Sequence, residues 1–423
     1  MKTKLVLCWF VFEILCFSAS NATNSGETAA TAINDIGTDL YKKLAIGENN
    51  LCLSPYSIET ALAMTFVGAD GATRDEMARV LHLSKEKSIH NSFSTLQSEL
   101  KGMADRTVKA LEQASELEGG PKEPITLAIA NRLFAQKGYD FRQSFFAVVR
   151  ENYGAPVEQM DFAKKAKEAT KEINAWVLEQ TRQRIRDLIP PDALNADTRL
   201  VLANAIYLKA PWEEAFSAEQ TKPEPFHVQG GNAVDVPTLH GRDRSCGYAK
   251  RSGFAAVTIP YIGRDLQFVI LLPDKVTGLP QIEKQLTSTA LSDCAKLERR
   301  SLNLYLPKFK IEPPTLDLGS TLQTLGMTTA FDKPPGTADF DRMAPRKPDD
   351  YLYISDVFHK TFISVDEKGT EAAAATAVAM ARATSMRNPE KPLEVRVDRP
   401  FFFAIQHVPS GACLFVGRVT DPR

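Results

Sequence analysis

The chain reads as one large mixed α+β domain. Three observations predict this. Apolar residues at helical spacing fill its first part, apolar strand-like runs dominate its second half, and no Pro/Gly/Ser-rich linker divides its 423 residues. Hydrophobic residues make up 43% and charged residues 24%, the balance of a chain with a full buried core. A formal net charge of −1 gives no electrostatic reason to expect nucleic acid or an acidic membrane surface as partner. No internal repeat recurs, which argues against solenoids and propellers.

Along the chain, Lys2 and Lys4 precede an apolar run from Leu5 to Phe17, and small polar residues follow from Ser18. This is the pattern of a secretory signal over residues 1–22, with cleavage after Ala19 or Ala22. The run is interrupted by Glu13 and is too short to span a bilayer. The mature domain is then 23–423. Residues 28–44 have helical spacing. A second, Ala-rich helix is expected over 59–67, started by Ser57 and punctuated by Gly68 and Gly71, and a third over 73–81. Helix continues over 89–103. Residues 104–124, charged and ending in Gly119-Gly120-Pro121, read as an exposed insertion.

Strands at 125–135 and 157–162 flank a helix at 144–153. The next helix, 164–179, carries Ile173, Trp176 and Val177 on one face. The unbroken apolar run 200–208 suits a strand buried on both faces. Strands at 255–259, 267–272, 302–306, 351–365, 394–397, 401–408 and 413–419 follow, interrupted by a helix at 317–325. Cys8 and Cys16 belong to the leader. Cys52, Cys246, Cys294 and Cys413 are far apart and in no metal-ligand spacing, so buried free thiols are expected, with no metal and no cofactor.

The most informative stretch is 366–376, Asp-Glu-Lys-Gly-Thr-Glu-Ala-Ala-Ala-Ala-Thr. Its four alanines alone suggest helix or a flexible linker. As a strand, however, alternate residues share a face. Thr370, Ala372, Ala374 and Thr376, all small, then point one way, while Glu371 points the other way toward water. Such a segment can slide between two strands without steric or desolvation penalty.

Several segments together resemble the serpins. Asn49-Asn50-Leu51-Cys52-Leu53-Ser54-Pro55-Tyr56-Ser57-Ile58 runs on into Ala61-Leu62-Ala63-Met64 and Gly68-Ala69-Asp70-Gly71-Ala72-Thr73. Leu200-Val201-Leu202-Ala203-Asn204-Ala205-Ile206-Tyr207-Leu208-Lys209 with Trp212 is a second block. Leu306-Pro307-Lys308-Phe309-Lys310, Leu325-Gly326-Met327, Ala338-Asp339-Phe340 and His359-Lys360 follow in order. Arg399-Pro400-Phe401-Phe402-Phe403 and Leu414-Phe415-Val416-Gly417-Arg418 close the chain. Each block alone is weak; the ordered set, covering nearly everything after residue 28, is specific.

The resemblance implies a single domain with a large central sheet, two further sheets and about eight or nine helices. It also implies a mobile reactive-centre loop over about 367–392. The function implied is irreversible, suicide-substrate inhibition of a serine protease. The protease attacks the loop and forms an acyl-enzyme, and the cleaved loop inserts as a strand before the ester hydrolyses. Cross-class inhibition of cysteine proteases is a wider form of this reading. The alternative is a non-inhibitory, serpin-like binding or carrier protein. The hinge would be Glu367, Gly369, Thr370, Glu371, Ala372, Ala373, Ala374, Ala375 and Thr376. Ser54, Ser57, Asn204 and His359 would meet beneath the central sheet as a hydrogen-bond cluster that rearranges when strands part, and Trp212 would pack near the top, where the hinge enters.

Family spacing from Thr370 puts the scissile bond at Ala383–Thr384, which suits a shallow, elastase-like pocket. Arg382–Ala383, one residue earlier, suits a trypsin-like pocket, and Arg387 is a remote third. Two departures from the family pattern, Gln183-Arg184-Ile185 and Ala210-Pro211, are expected to alter local turns without touching the hinge. Arg182, Arg184 and Arg186 are flanked by Glu179 and Asp187 and read as a solvated face, so no strong polyanion site is expected. No catalytic residues are assigned. Ser54 lacks a nucleophile-elbow context and an acidic triad partner, so an enzyme is not expected. The working state should be a secreted monomer.

Overall fold

The computed structural model describes residues 25–114, 123–155, 157–228, 233–348, 350–371 and 391–423. The leader 1–22, the hinge residues Ala372, Ala373, Ala374, Ala375 and Thr376, and the bait candidates Arg382, Ala383, Thr384 and Arg387 lie outside them. Nine α-helices and seventeen strands occur among the described residues.

The eight-stranded sheet is built on Leu200–Pro211, buried along nearly its whole length as its apolar run predicts. On one side it pairs antiparallel with Thr126–Gln136, from Thr126–Lys209 to Ala135–Leu200. On the other side it pairs in parallel with Ile354–Thr361, from Ile354–Leu200 to Thr361–Ile206. Glu158–Met160 extends the sheet beyond Thr126–Gln136, and Leu316–Asp317 beyond Ile354–Thr361. At the top, Phe309–Ile311, Ile363–Val365 and Gly369–Thr370 complete the path.

The remaining nine strands form one connected sheet, eight on a continuous path and Lys222–His227 branching off it to pair with Ala233–Arg251. The two further sheets are joined through Ala233–Arg251, a 19-residue strand in which Thr238–Gly241 and Arg244–Gly247 pair with Arg299–Pro307 across a bulge. Gly247–Arg251 also pairs with Phe254–Pro260. This strand has no long apolar run, since Pro237, Arg242, Asp243 and Arg244 interrupt it, and so periodicity misses it. The helix Pro55–Gly68, buried almost all round, lies beneath the central sheet.

Three expectations change. The second helix is capped by Ser54, whose side chain accepts the Ser57 backbone N–H, so it starts two residues before Ser57. Residues 104–114 are no loop, because Ser88–Ala114 is one helix. Leu96, Leu100, Met103 and Thr107 are all buried and continue one stripe, which the surrounding charges obscured. The strand expected over 351–365 is two, Ile354–Thr361 and Ile363–Val365, divided at Phe362. The four cysteines are buried and free, and burial pushes the Cys52 and Cys294 thiols up to about 12 and that of Cys246 up to about 11.

Asp356, at a register shift in Ile354–Thr361, has its carboxyl pushed up to about 6, first by burial and then by Asp317 on the adjoining strand. An unfolded aspartate titrates near about 3.9. Below that pH the group is protonated in both states. As pH rises toward about 6, the folded state resists a charge that the unfolded chain accepts, so stability falls across the window. Asp356→Asn is expected to stabilise the protein by about 1–2 kcal/mol at pH 7.5, discounted for partial exposure, and not at pH 3.5. Denaturant melts at the two pH values check this, and an equal effect at both would contradict it.

Candidate functional site

Two groups of residues converge on the seam between Leu200–Pro211 and Ile354–Val365. The lower group is a polar cluster at one level of three adjacent strands, where Asn131, Asn204 and His359 stand in register. The Ser54 backbone N–H donates to His359 Nε2 at 3.0 Å, so the proton sits on Nδ1, which donates to Asn204 Oδ1. Asn204 Nδ2 donates to Asn131 Oδ1 at 3.0 Å, and Ser57 Oγ donates to the same oxygen at 2.6 Å. Asn131 Nδ2 returns to the Ser57 carbonyl at 3.0 Å. The structure brings the side chains of Ser57, Asn204 and His359 into one hydrogen-bonded chain through Asn131, and Ser54 joins it through its backbone N–H. Asn131 was missed, although its register opposite Asn204 follows once the two strands are aligned.

Every polar atom of the His359 ring is satisfied while neutral. Burial lowers its pKa to about 3, opposed by hydrogen bonding with Asn204. Ser54 Oγ is engaged as a helix cap, and among the described residues no carboxylate hydrogen-bonds to His359, so these residues do not form a triad.

The upper group surrounds the hinge. The ladder along the seam stops at Ile206–Thr361 and resumes at Ala210–Thr370 and Pro211–Gly369. Tyr207, Leu208 and Lys209 have no ladder partner on that edge among the described residues. Thr370 also pairs with Val365, so the Gly369–Thr370 strand occupies the top of the gap between the two long strands. Only glycine fits at 369, because a Cβ there would lie 2.1 Å from the Ala210 carbonyl oxygen. Thr370 is buried, and its hydroxyl hydrogen-bonds to that of Tyr261. Tyr261 stacks on Trp212 with centroids 4.6 Å apart, and the Trp212 indole N–H donates to the Asp366 carbonyl at 2.9 Å. The Trp212 backbone N–H donates to the Lys368 carbonyl at 2.8 Å. Glu367 is held by Lys308 Nζ at 2.9 and 3.0 Å and by Thr221 Oγ1 at 2.8 Å.

Two expectations fail here. Glu371 does not face water: it is 8% exposed, and its carboxylate ion-pairs with Arg184 Nε. Alternation did place its side chain opposite Thr370, but that face is covered by the segment after the helix Phe162–Gln180. Burial pushes the Glu371 carboxyl above its ordinary range, with Arg184 pulling the other way. The departures Arg184 and Ala210-Pro211 do touch the hinge, the first through this ion pair and the second as ladder partners of Thr370 and Gly369.

Removing the imidazole breaks the cluster at the seam. His359→Gln is expected to cost about 1–3 kcal/mol at pH 7.5 by leaving buried polar groups unpaired. The native chain should also lose stability as pH falls below about 6.5, because the unfolded imidazole takes up a proton that the folded one refuses down to about 3. The gap between variant and native should therefore narrow toward pH 4 in urea melts. A gap that does not change with pH would contradict a buried neutral His359.

A family model described as "Serpin (serine protease inhibitor)" matches residues 31–422. The leukocyte elastase inhibitor of Sus scrofa is 36% identical over 406 residues, covering 94% of this chain and all of that protein. The crystal structure of Serpin48 from the insect Tenebrio molitor superposes with a TM-score of 0.76 at 31% identity, over 95% of this chain and all of that one. Human thyroxine-binding globulin superposes with a TM-score of 0.77 at 26% identity, over 94% of this chain and 99% of that one. The match over nearly the whole chain, on a fold of the same kind, establishes that this protein belongs to the serpin family.

Proposed function

We infer that the protein is a secreted, irreversible inhibitor of serine proteases that is cleaved in its exposed loop and traps the acyl-enzyme by inserting that loop. The observation that carries this reading is the Gly369–Thr370 strand, seated at the mouth of a seam whose next positions, Tyr207 to Lys209, lack partners among the described residues. The residues that would follow Thr370 into the seam on its inward face, Ala372, Ala374 and Thr376, are all small. A carrier role, as the name of the thyroxine-binding relative suggests for that protein, gives no reason for such a hinge. No enzymatic activity is proposed, and the working state is a monomer.

The bait bond proposed is Ala383–Thr384, with an elastase-like target. The leukocyte elastase inhibitor relative fits this choice by its name. Arg382–Ala383 with a trypsin-like target stands next. Mixing the protein with a panel of elastase-like, trypsin-like and papain-like proteases should give a complex that survives denaturing electrophoresis. The released fragment should begin at Thr384 by mass spectrometry; a start at Ala383 moves the bait to Arg382, and clean cleavage without a trapped protease sinks the inhibitory reading. N-terminal sequencing of protein from the culture medium should start after Ala19 or Ala22, and retention of residues 1–22 would contradict secretion by this leader.

Thr370→Arg is expected to turn inhibitor into substrate, since burying the guanidinium against Tyr261 and Trp212 costs several kcal/mol. The excess of the stoichiometry of inhibition over one should rise about tenfold for each ~1.4 kcal/mol added to the insertion barrier. Unchanged trapping by this variant would count against loop insertion.

A further inference from the structure

We propose that the junction where Ser88–Ala114 and Gln143–Tyr153 pack on Pro55–Gly68 is a proton-operated element of the fold, in which Glu59 must stay an uncharged acid for the polar lock of the seam to hold. The proposal goes beyond the inhibitory reading and does not depend on it. Glu59 is fully buried, and among the described residues neither of its carboxyl oxygens has a hydrogen-bond partner. A buried polar group without a partner is rare and costly, and a charged one is far more so. Burial accordingly pushes the Glu59 carboxyl well above its ordinary range.

The groups around it supply no counter-charge. Tyr153, the last residue of Gln143–Tyr153, feels a charge on Glu59, but its hydroxyl is engaged with His90 Nδ1 at 2.7 Å. Burial lowers the His90 pKa to about 4, and Arg74 acts in the same direction, so at neutral pH this imidazole carries no charge. Aromatic rings close the junction, with centroids 6.2 Å apart for Phe66 and His90 and 5.8 Å apart for Phe93 and Tyr153. Arg74, on Gly71–Val80, lies over the Phe66 ring at 4.0 Å and donates to the Phe66 carbonyl at 2.9 Å. Charged residues of the other elements packed on this helix pair elsewhere: Asp39 with His82, Arg132 with Glu158, Lys209 with Glu123 and Arg418 with Glu283.

The same helix carries the lock. Ser57 gives Asn131 a hydroxyl donor at 2.6 Å and a carbonyl acceptor at 3.0 Å. Glu59 stands about 200° round the helix from Ser57, so one face of a single turn holds the lock and the opposite face holds the acid. Glu59 gives up its proton only where water reaches it, and that requires Ser88–Ala114 and Gln143–Tyr153 to part from Pro55–Gly68. One turn of helix moves as a rigid piece, so the parting shifts Ser57 against Asn131. The sign follows from linkage. A carboxyl raised in the folded state costs nothing below about pH 4.3, where the unfolded chain is protonated too, and it costs progressively more as pH rises toward the folded value. The seam therefore parts more readily as pH rises.

The test compares the native full chain with Glu59→Gln and Glu59→Met, by urea melts and by hydrogen–deuterium exchange between about pH 5 and about pH 9, corrected for the intrinsic exchange rate at each pH. Methionine needs no hydrogen-bond partner and keeps the test open if the glutamine variant folds poorly. The folding equilibrium constant of each variant, divided by that of the native chain, should grow about tenfold per pH unit from about pH 5 until Glu59 ionises. Protection of Thr126–Gln136 and Ile354–Thr361 should fall at least about tenfold between about pH 6 and about pH 9 in the native chain and less than about threefold in both variants, with Phe401–His407 unchanged in all three. Variants whose stability runs parallel to that of the native chain over the whole range would overturn the uncharged acid. An equal fall in Phe401–His407, or a fall that both variants keep, would overturn its coupling to the lock.

Discussion

Everything in this molecule turns on one seam, the parallel pairing of Leu200–Pro211 with Ile354–Thr361. It is closed by seven residue pairs and by the His359–Asn204 hydrogen bond, and among the described residues it has no ladder partners at Tyr207, Leu208 and Lys209. A seam closed all the way up would exclude a further strand, and one open all the way down would expose two rows of backbone donors and acceptors to water. The structure is intermediate. Its lower part is locked by a fully satisfied polar cluster, and its mouth is filled by two residues of the hinge itself. Polar groups suit the lock because they can exchange partners as strands separate, whereas interdigitated apolar side chains cannot.

The upper end follows from the same constraint. A segment that waits at the mouth of a sheet needs a small inward face and an anchor behind it. Gly369 and Thr370 supply the first, since no Cβ fits at 369 and the Thr370 hydroxyl finds Tyr261. Trp212, Phe216 and Lys308 supply the anchor, binding the carbonyls of Lys368, Glu367 and Asp366 and the Glu367 carboxylate. Glu371, beside it, ion-pairs with Arg184. Charge on the outward side of the hinge, which looks like simple solvation in the sequence, thereby acquires a structural position.

The α+β class, the run of helices before strands, and the seam strand were all legible, because long apolar runs and helical spacing report burial directly. The alternation of small residues correctly put Thr370 inward. It failed for Glu371 because alternation tells which face a residue takes but not what covers that face, and the cover comes from Arg184, far away in sequence. Asn131 escaped for a related reason: an amide in a strand has no signature until its register with Asn204 is known. The strand Ala233–Arg251 was invisible because it pairs in two registers and carries Pro237 and charges along its length. The hinge beyond Glu371 and the bait candidates Arg382, Ala383 and Thr384 lie outside the described residues and rest on sequence spacing.

The central claim is that the seam accepts the bait segment as a new strand once the loop is cut. Thermal melting of the full chain before and after a single cleavage in the loop, by a protease that is not trapped, measures this most directly. Filling the seam adds a full set of backbone hydrogen bonds and buries the alanine face, so the cut protein should melt well above the intact one, by tens of degrees (~20 °C or more). A cut protein that melts at or below the temperature of the intact one would contradict the account.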